Sequence, residues 1–476
     1  MSALKIIAYL ALLACSAAAA SAAPAFDCSR AARGKFAGVC ADRELVGLDR
    51  AMDNAINRLA TGGDTLTAML LRRDQRWFFD RLDVSHKNDF SSADDPERQR
   101  ILEAMRERLS LLEGVAPNAG RGLAGRWANA FSEAKIEALG SGVRVTVTNK
   151  TVEGDDDEAK CNARAQVKPG RDGWLAGTAI RVVDDQAAES SDGPFRLRLH
   201  LQGNTLRIVV TRSEQDSFCG VPEQITGSYF MVAATEPRRS PPAAVLSPSF
   251  SCATAKLLDE EEICADPDLA ARDVEIAQAY RDIQRKLDAK TFGFLRDDQR
   301  AWVKDNGVAF DAYLLPAWDK QHSERYHTGD ARNELLLRQS ERLAMLTSLE
   351  PARQGFAGLW IANNAMLNIN AAPEKPGTLI ATGRKWQSGD YKSHCEFEAN
   401  GKITGGTFRT DDGFPELARD GATLTIDSRD PDRTRDRDNR RLREQPGYCT
   451  RMDSAKARLF PVKPHPDIDQ SDGRIR

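Results

Sequence analysis

The chain repeats itself at a fixed offset of 224 positions, and this repeat limits the possible fold more than any other feature. The matched positions are Cys28 with Cys252, Cys40 with Cys264, Asp42 with Asp266, Asp49 with Asp273, and Asp74-Gln75-Arg76 with Asp298-Gln299-Arg300. Further along, Arg108 matches Arg342 at an offset of 234. Two cysteines and several polar residues that keep one register indicate a tandem duplication, not a long repeat array.

The downstream parts match more weakly, at Trp127 with Trp360, Cys161 with Cys395, and Cys219 with Cys449. The 476 residues therefore divide into a unit A and a unit B, each present twice. We expect helical unit 1 at 24–115, β unit 1 at 120–236, a Pro-rich linker at 237–248, helical unit 2 at 249–350, β unit 2 at 354–462 and a flexible tail at 463–476.

Unit A has the pattern of a small helical bundle. Asp42 is a good N-cap, and it precedes Leu45, Leu48, Met52, Ile56 and Leu59, which have the spacing of one helix face. Asp266 caps the second copy and Pro267 follows at the first helical position. Trp77 and Trp302 are expected in the core. Arg76 and Arg300 are expected to pair with Asp49 and Asp273.

Unit B has the pattern of a small antiparallel barrel or sandwich. Valines at 143, 145 and 147 alternate with polar residues, and so do Leu197, Leu199 and Leu201. A period of two with one polar face indicates half-buried antiparallel strands. The predicted fold class is therefore α+β multidomain, with two disulfide-stapled helical bundles alternating with two β-barrels or sandwiches.

The N-terminus has the pattern of an export signal at 1–22. Lys5 precedes a nine-residue apolar run at 6–14, which is too short to span a bilayer, and Ala20-Ser21-Ala22 suits signal peptidase. We expect a periplasmic or secreted bacterial protein with no transmembrane span. A second interpretation takes Leu12-Leu13-Ala14-Cys15 as a lipoprotein box, which would make the chain an outer-membrane lipoprotein anchored through Cys15.

Eight cysteines remain without Cys15, and an even number in an exported chain favours disulfides. The predicted pairs are Cys28–Cys40, Cys161–Cys219, Cys252–Cys264 and Cys395–Cys449. On the chain-entropy model, each short-loop pair contributes about 3 kcal/mol and each long-loop pair about 4 kcal/mol.

Composition and motifs favour a binding protein over an enzyme. Lys and Arg number 67 and Asp and Glu 70, so the basic excess of a nucleic-acid binder is absent. The sequence has no H-E-x-x-H pair, phosphate loop or G-x-S-x-G elbow, and His322 and His327 have the wrong spacing for one helix face. We therefore predict no catalytic residues, no metal and no cofactor.

The segment 429–443 holds seven Arg and four Asp. A solvated hairpin loop explains such a run. A second interpretation is a cationic projection that enters an acidic cleft, with Arg433, Arg435, Arg437 and Arg440 as contact residues.

Unit A resembles the N-terminal domain of LprI-type lysozyme inhibitors of bacterial envelopes. The resemblance rests on the pattern F-D-C, C-A-D-x-x-L, D-Q-R-x-W and R-L, which the second copy carries best, at Cys252, Cys264, Asp266, Trp302 and Arg342. It covers both A units. The B units are vaguely similar to the disulfide-stapled barrels of membrane-bound lysozyme inhibitors.

The resemblance implies a non-enzymatic protein that binds lysozyme or another envelope glycan hydrolase and occludes its cleft. The alternative is a cell-envelope scaffold or ligand-binding protein with two equivalent binding units, whose avidity comes from the duplication.

Overall fold

The computed structural model describes residues 36–62, 64–82, 90, 92–116, 122–149, 162–183, 186–187, 195–211, 225–234, 246–314, 328–387, 390–410, 416–427 and 456–468. We call the part up to residue 234 the first half and the part from residue 246 the second half. In each half, α-helices precede the strands of a closed antiparallel barrel, so the fold is mixed α+β. No helix within these ranges is long and apolar enough to cross a membrane.

The helices of the first half are α1 (Ala37–Ala41), α2 (Arg43–Gly62), α3 (Thr65–Arg81) and α4 (Pro96–Gly114). Each long helix begins after an aspartate that accepts backbone N–H groups. Asp42 accepts from Leu45 at 3.1 Å and Asp64 from Thr67 at 2.7 Å, while Asp95 caps α4. These caps satisfy donors that the first turn of a helix leaves without partners.

The apolar face predicted for α2 is confirmed. Leu45, Met52, Ile56 and Leu59 are buried and pack with residues of α3 and α4 in one core cluster. Burying such side chains contributes roughly 1.5–3 kcal/mol each. This packing holds α2, α3 and α4 together around one apolar core.

The barrel of the first half is formed by β1 (Gly125–Ala128), β2 (Ser132–Leu139), β3 (Gly142–Asn149), β4 (Asn162–Pro169), β5 (Leu175–Val183), β6 (Gln186–Ala187), β7 (Phe195–Gln202), β8 (Thr205–Thr211) and β9 (Gly227–Ala234). Pairing of β4 with β5 and of β1 with β9 closes eight strands, and β6 adds to β5. Val145, Val147, Leu197 and Leu199 are fully buried, as their alternation predicted. Gly177 is required because a Cβ there would lie 2.0 Å from the Gln166 carbonyl oxygen.

The helices of the second half are α5 (Leu258–Ala265), α6 (Pro267–Gln284), α7 (Ala289–Leu314) and α8 (Thr328–Ser348). Asp266 caps α6 and Pro267 takes its first position, as predicted. The predicted disulfide Cys252–Cys264 is present and ties the segment before α5 to that helix.

The second barrel is formed by β10 (Gly358–Ala362), β11 (Ala365–Ala371), β12 (Leu379–Gln387), β13 (Asp390–Thr404), β14 (Thr407–Thr410), β15 (Glu416–Asp420), β16 (Thr423–Asp427) and β17 (Lys456–Val462). It closes through β10 and β17. The choice between barrel and sandwich is therefore settled as barrel in both halves. The indole N–H of Trp360 donates to Phe356 O at 2.7 Å, and that of Trp127 donates to Leu123 O at 2.8 Å.

In both barrels, the connections between antiparallel strands alternate between two ends. One end of the second barrel has the strand ends that flank 363–364, 388–389, 411–415 and 428–455, and the other end has those that flank 372–378, 405–406 and 421–422. The corresponding end of the first barrel flanks 129–131, 150–161, 184–194 and 212–226. The connection 428–455, the longest in the second barrel, therefore starts and finishes at the end that corresponds to the one flanking 150–161 and 212–226 in the first barrel.

The two halves pack against each other. Trp77 and Phe131 of the first half share a buried cluster with Ile263, Leu269 and Phe310 of the second half. Cys264 and Ala265 also belong to the apolar cluster of the first-half helices. The chain is therefore not two units separated by a free linker.

Candidate functional site

The predicted contact residues Arg433, Arg435, Arg437 and Arg440 lie outside the described residues, as do Cys28, Cys161, Cys219 and Cys449. Cys40 is disulfide-bonded. The backbone of Cys395 is on β13 opposite Lys385, and its side chain is outside the description. The strands adjoining the arginine-rich segment are described: Asp427 pairs with Lys456 where β16 ends and β17 begins.

The D-Q-R and R-L motifs of the first half meet in one buried corner. The Arg108 guanidinium donates from Nε to Gln75 Oε1 at 2.9 Å and pairs through Nη1 with Asp74 Oδ2 at 2.8 Å. Asp74 Oδ1 accepts the Ala130 N–H at 2.9 Å. This corner ties α3 to α4 and to the first turn of the barrel.

The same contacts occur in the second half. The Arg342 guanidinium donates to Gln299 Oε1 at 2.6 Å and to Asp298 Oδ2 at 2.7 Å. Asp298 Oδ1 accepts the Asn363 N–H at 2.8 Å, again from the first turn of a barrel. The Asp, Gln and Arg side chains of these two corners therefore hold helices to barrels. Asp74, Gln75, Arg108 and Arg342 are buried, whereas Arg76 and Arg300 of the same motifs are partly or mostly exposed.

A second corner lies at the helix caps. Arg98 Nε donates to the capping Asp42 Oδ2 at 2.6 Å and its Nη2 donates to Glu44. In the second half, Arg332 Nε donates to Asp266 Oδ2 at 3.0 Å and its Nη2 to Asp268 at 2.7 Å. Each arginine joins the last long helix of its half to the cap of an earlier helix.

The prediction that Arg76 pairs with Asp49 was wrong. The Arg76 guanidinium contacts the Glu261 carboxylate of α5, at 2.6 Å and 2.7 Å. Arg300, in the corresponding position of the second half, lies 3.6 Å from Asp297 on its own helix, and both side chains are mostly exposed. Arg76 therefore connects the halves and Arg300 does not.

Next to this contact lies a buried group of charges. Glu262 of α5 is bound by Arg73 of α3 at 2.8 Å and by Arg207 of β8. Arg207 Nε also donates to Asp266 at 3.1 Å, and Asp266 is in turn bound by Arg332. All five side chains are at most 2% exposed.

Charge, not solvent, sets the ionisation of this group. Burial opposes ionisation of Asp266, but the charges of Arg332 and Arg207 outweigh it and hold the pKa of its carboxyl below the usual range. Burial likewise opposes the charge on Arg332, and Asp266 overcomes this and raises its pKa. Both groups are therefore charged at neutral pH, and their mutual attraction offsets the desolvation penalty of burying them.

The edge of this group contains aromatic rings. The Trp174 indole N–H donates to Asp268 Oδ1 at 3.0 Å, and the Arg198 guanidinium lies 4.2 Å above its ring and donates to Asp268 Oδ2 at 2.7 Å. The His200 ring is 5.2 Å from Trp174. Burial lowers the pKa of His200, and the charges of Asp266 and Asp268 oppose this shift. His200 is therefore mostly neutral at pH 7.

Asp49 differs from its counterpart Asp273. Asp49 is 5% exposed, one of its oxygens has no hydrogen-bond partner among the described residues, and burial together with Asp53 raises its pKa to about 7. The Asp273 carboxylate accepts the Ser249 N–H at 2.6 Å. Asp49 is therefore a buried carboxyl group that is partly protonated near pH 7.

Open hollows lie on the surface of the described residues. One, of about 720 Å³, is lined by the polar face of α2 at Asn54, Asn57, Arg58, Thr61 and Gly62. Another, of about 400 Å³, lies over β5 and β7 near Phe195 and Arg196. Across the described parts of both halves, no three His, Cys, Asp or Glu residues are grouped to hold a metal ion.

The charged contact between the two halves, which joins Arg73, Arg76 and Arg207 to Glu261 and Glu262, is called the junction below. The sequence did not predict it, although one signal was present. The run Asp259-Glu260-Glu261-Glu262 is followed by Ile263 and Cys264. Such a run is commonly solvated, but Glu261 and Glu262 are buried here and take their cations from other elements. Comparison with known protein families, with curated proteins and with solved structures gives no match for this chain.

Proposed function

We propose that the chain is an exported, non-enzymatic binding protein of the lysozyme-inhibitor type, which occludes the cleft of a glycan hydrolase. The proposal includes two copies of one helix-plus-barrel module. It is supported by the two corners that recur with the same residue types, Asp74 with Arg108 and Asp298 with Arg342. Export through the 1–22 signal, or anchoring through Cys15, is part of the same proposal.

One observation carries the binding hypothesis. The segment that contains Arg433, Arg435, Arg437 and Arg440 connects β16 to β17, two neighbouring antiparallel strands of a closed barrel. The residues on either side of it, Asp427 and Lys456, are paired in the barrel, so the connection 428–455 starts and finishes on a rigid platform. Loops held by a rigid scaffold are a common form of binding site.

The chemistry of the target suits these side chains. A lysozyme cleft contains one protonated and one ionised carboxyl group, and catalysis needs both states. A guanidinium that enters the cleft can form a bidentate contact with the ionised carboxylate. It would thereby exclude the glycan and fix the charge of the catalytic pair.

A titration of lysozyme turnover against the purified protein tests the proposal. We expect inhibition at micromolar concentration, and at least a tenfold loss when Arg433, Arg435, Arg437 and Arg440 are all changed to Gln. A matched control changes four exposed cations elsewhere to Gln, namely Arg126, Lys135, Arg144 and Arg300. The control variant loses the same charge but should inhibit as well as wild type, because its four cations lie outside the arginine-rich segment.

Two results would count against the proposal. Wild-type protein that leaves lysozyme fully active at micromolar concentration contradicts it, as does equal loss in both four-residue variants. If envelope extracts yield other partners and no lysozyme, the scaffold or ligand-binding alternative gains instead.

A further inference from the structure

We propose that the first half is a receptor for the disulfide-stapled acidic helix α5, so that the two halves stay associated when the segment 237–248 between them is cut. Helix α5 has only eight residues, and Cys252–Cys264 ties it to the segment that precedes it. Its carboxylates are nevertheless buried, with Glu261 5% and Glu262 1% exposed. Buried carboxylates are tolerated only when cations neutralise them.

The described cations that pair with Glu261 and Glu262 come from the first half. Glu262 is bound by Arg73 of α3 and Arg207 of β8, and Glu261 by Arg76 of α3. Separation of the halves would leave the charges of Arg73, Arg207 and Glu262 without these partners. Water is excluded from all three side chains in the intact chain. The first half therefore presents a basic surface that suits an acidic ligand, and helix α5 is that ligand.

Apolar and neutral polar contacts complete the fit. Ile263 packs in the cluster with Trp77 and Phe131, whose ring centroids are 5.8 Å apart. Gln202, at the end of β7, donates its side-chain amide to Cys264 O at 3.2 Å. Helix α5 thus contacts the receptor through its acids, its apolar side chain and its backbone.

The interface is one-sided. At the positions of Arg73 and Trp77, the second half has Asp297 and Ala301, and both are exposed. At the positions of Glu261 and Glu262, the first half has Ala37 and Gly38. Because neither the receptor nor its ligand is duplicated, this contact joins one first half to one second half and does not extend into a chain of copies.

The test uses the folded full-length chain with a protease site placed within 237–248. After complete cleavage, size-exclusion chromatography and native mass spectrometry at micromolar concentration should give one 1:1 complex of the halves. Halves that elute separately while each keeps its helical circular dichroism overturn the proposal.

Two variants sharpen the test. Glu262→Gln should weaken association of the cut halves by about 30-fold or more, because it removes one partner of a buried charge pair. Glu275→Gln is the control, since Glu275 pairs, among the described residues, with Arg272 on the exposed side of α6 and should change nothing.

If Glu262→Gln does not fold, Arg76→Ala decides the matter, because its side chain is 43% exposed and its loss is easier for the fold to tolerate. A several-fold weaker association supports the receptor, and unchanged association with Arg76→Ala overturns it.

Discussion

The two halves have the same inner corners and different outer faces. In both, an arginine of the last long helix binds an Asp-Gln pair, and the Asp accepts an N–H from the first turn of a barrel. On the outer face, Arg73 and Trp77 are buried under the second half, whereas Asp297 and Ala301 face solvent. The motif residues thus build the scaffold, and the positions that differ decide what each half contacts.

The largest expected difference concerns the two helix caps. Asp266 is fully buried and is bound by Arg207 and Arg332, whereas the Asp42 side chain is 15% exposed and pairs with Arg98. We expect Asp266→Ala to lower the free energy of unfolding by about 3–5 kcal/mol, because it leaves buried arginines without a partner. Asp42→Ala should cost about 1–2 kcal/mol, mainly through loss of the cap.

Urea unfolding combined with hydrogen exchange of α2 and α6 peptides measures both effects and separates the halves. If both variants lower the free energy of unfolding equally, the contact of Asp266 with Arg207 of the first half adds nothing to stability.

The second difference is a pH dependence at Asp49 and Asp273. The pKa of Asp49 is raised from 3.8 to about 7, so the folded chain holds this proton more tightly than the unfolded chain. The stability that protonated Asp49 gives is present at low pH and is lost as the pH rises through about 7. Asp49→Asn should therefore stabilise the protein by about 2–4 kcal/mol at pH 9 and hardly at pH 4.

Thermal unfolding of Asp49→Asn and Asp273→Asn across pH 4–9 checks this expectation. Asp273→Asn is the control, because its amide oxygen still accepts the Ser249 N–H. A flat pH profile for the difference between Asp49→Asn and wild type would mean that the Asp49 carboxylate is solvated.

Local patterns predicted much of the fold. The caps at Asp42 and Asp266, the buried face of α2, the strand alternation and the Cys252–Cys264 bridge all depend on short stretches of sequence. Such features can be derived from periodicity and spacing, because the residues that interact are near each other in the chain. The closure of each barrel could not be derived this way, since it pairs strands that are distant in sequence.

The junction could not be predicted for the same reason. Arg73, Arg207 and Glu262 are separated by more than fifty positions from one another, and no periodicity relates them. Their charges appear ordinary in a chain with 67 basic and 70 acidic residues. The arginine-rich segment 429–443, in contrast, is conspicuous in composition, and it lies between the described strands β16 and β17 in the sequence.

The smallest expected difference is at the inner corners, where the halves match. Arg108→Lys and Arg342→Lys keep the positive charge and lose the guanidinium contacts to Gln75 and Gln299. Each should cost about 1–2 kcal/mol, the value of a hydrogen bond to a charged group, and the two costs should agree. Hydrogen exchange at the first turn of each barrel, near Ala130 and Asn363, reports the effect locally. A change in one half only would mean that the two corners, despite equal contacts, do not serve equal roles.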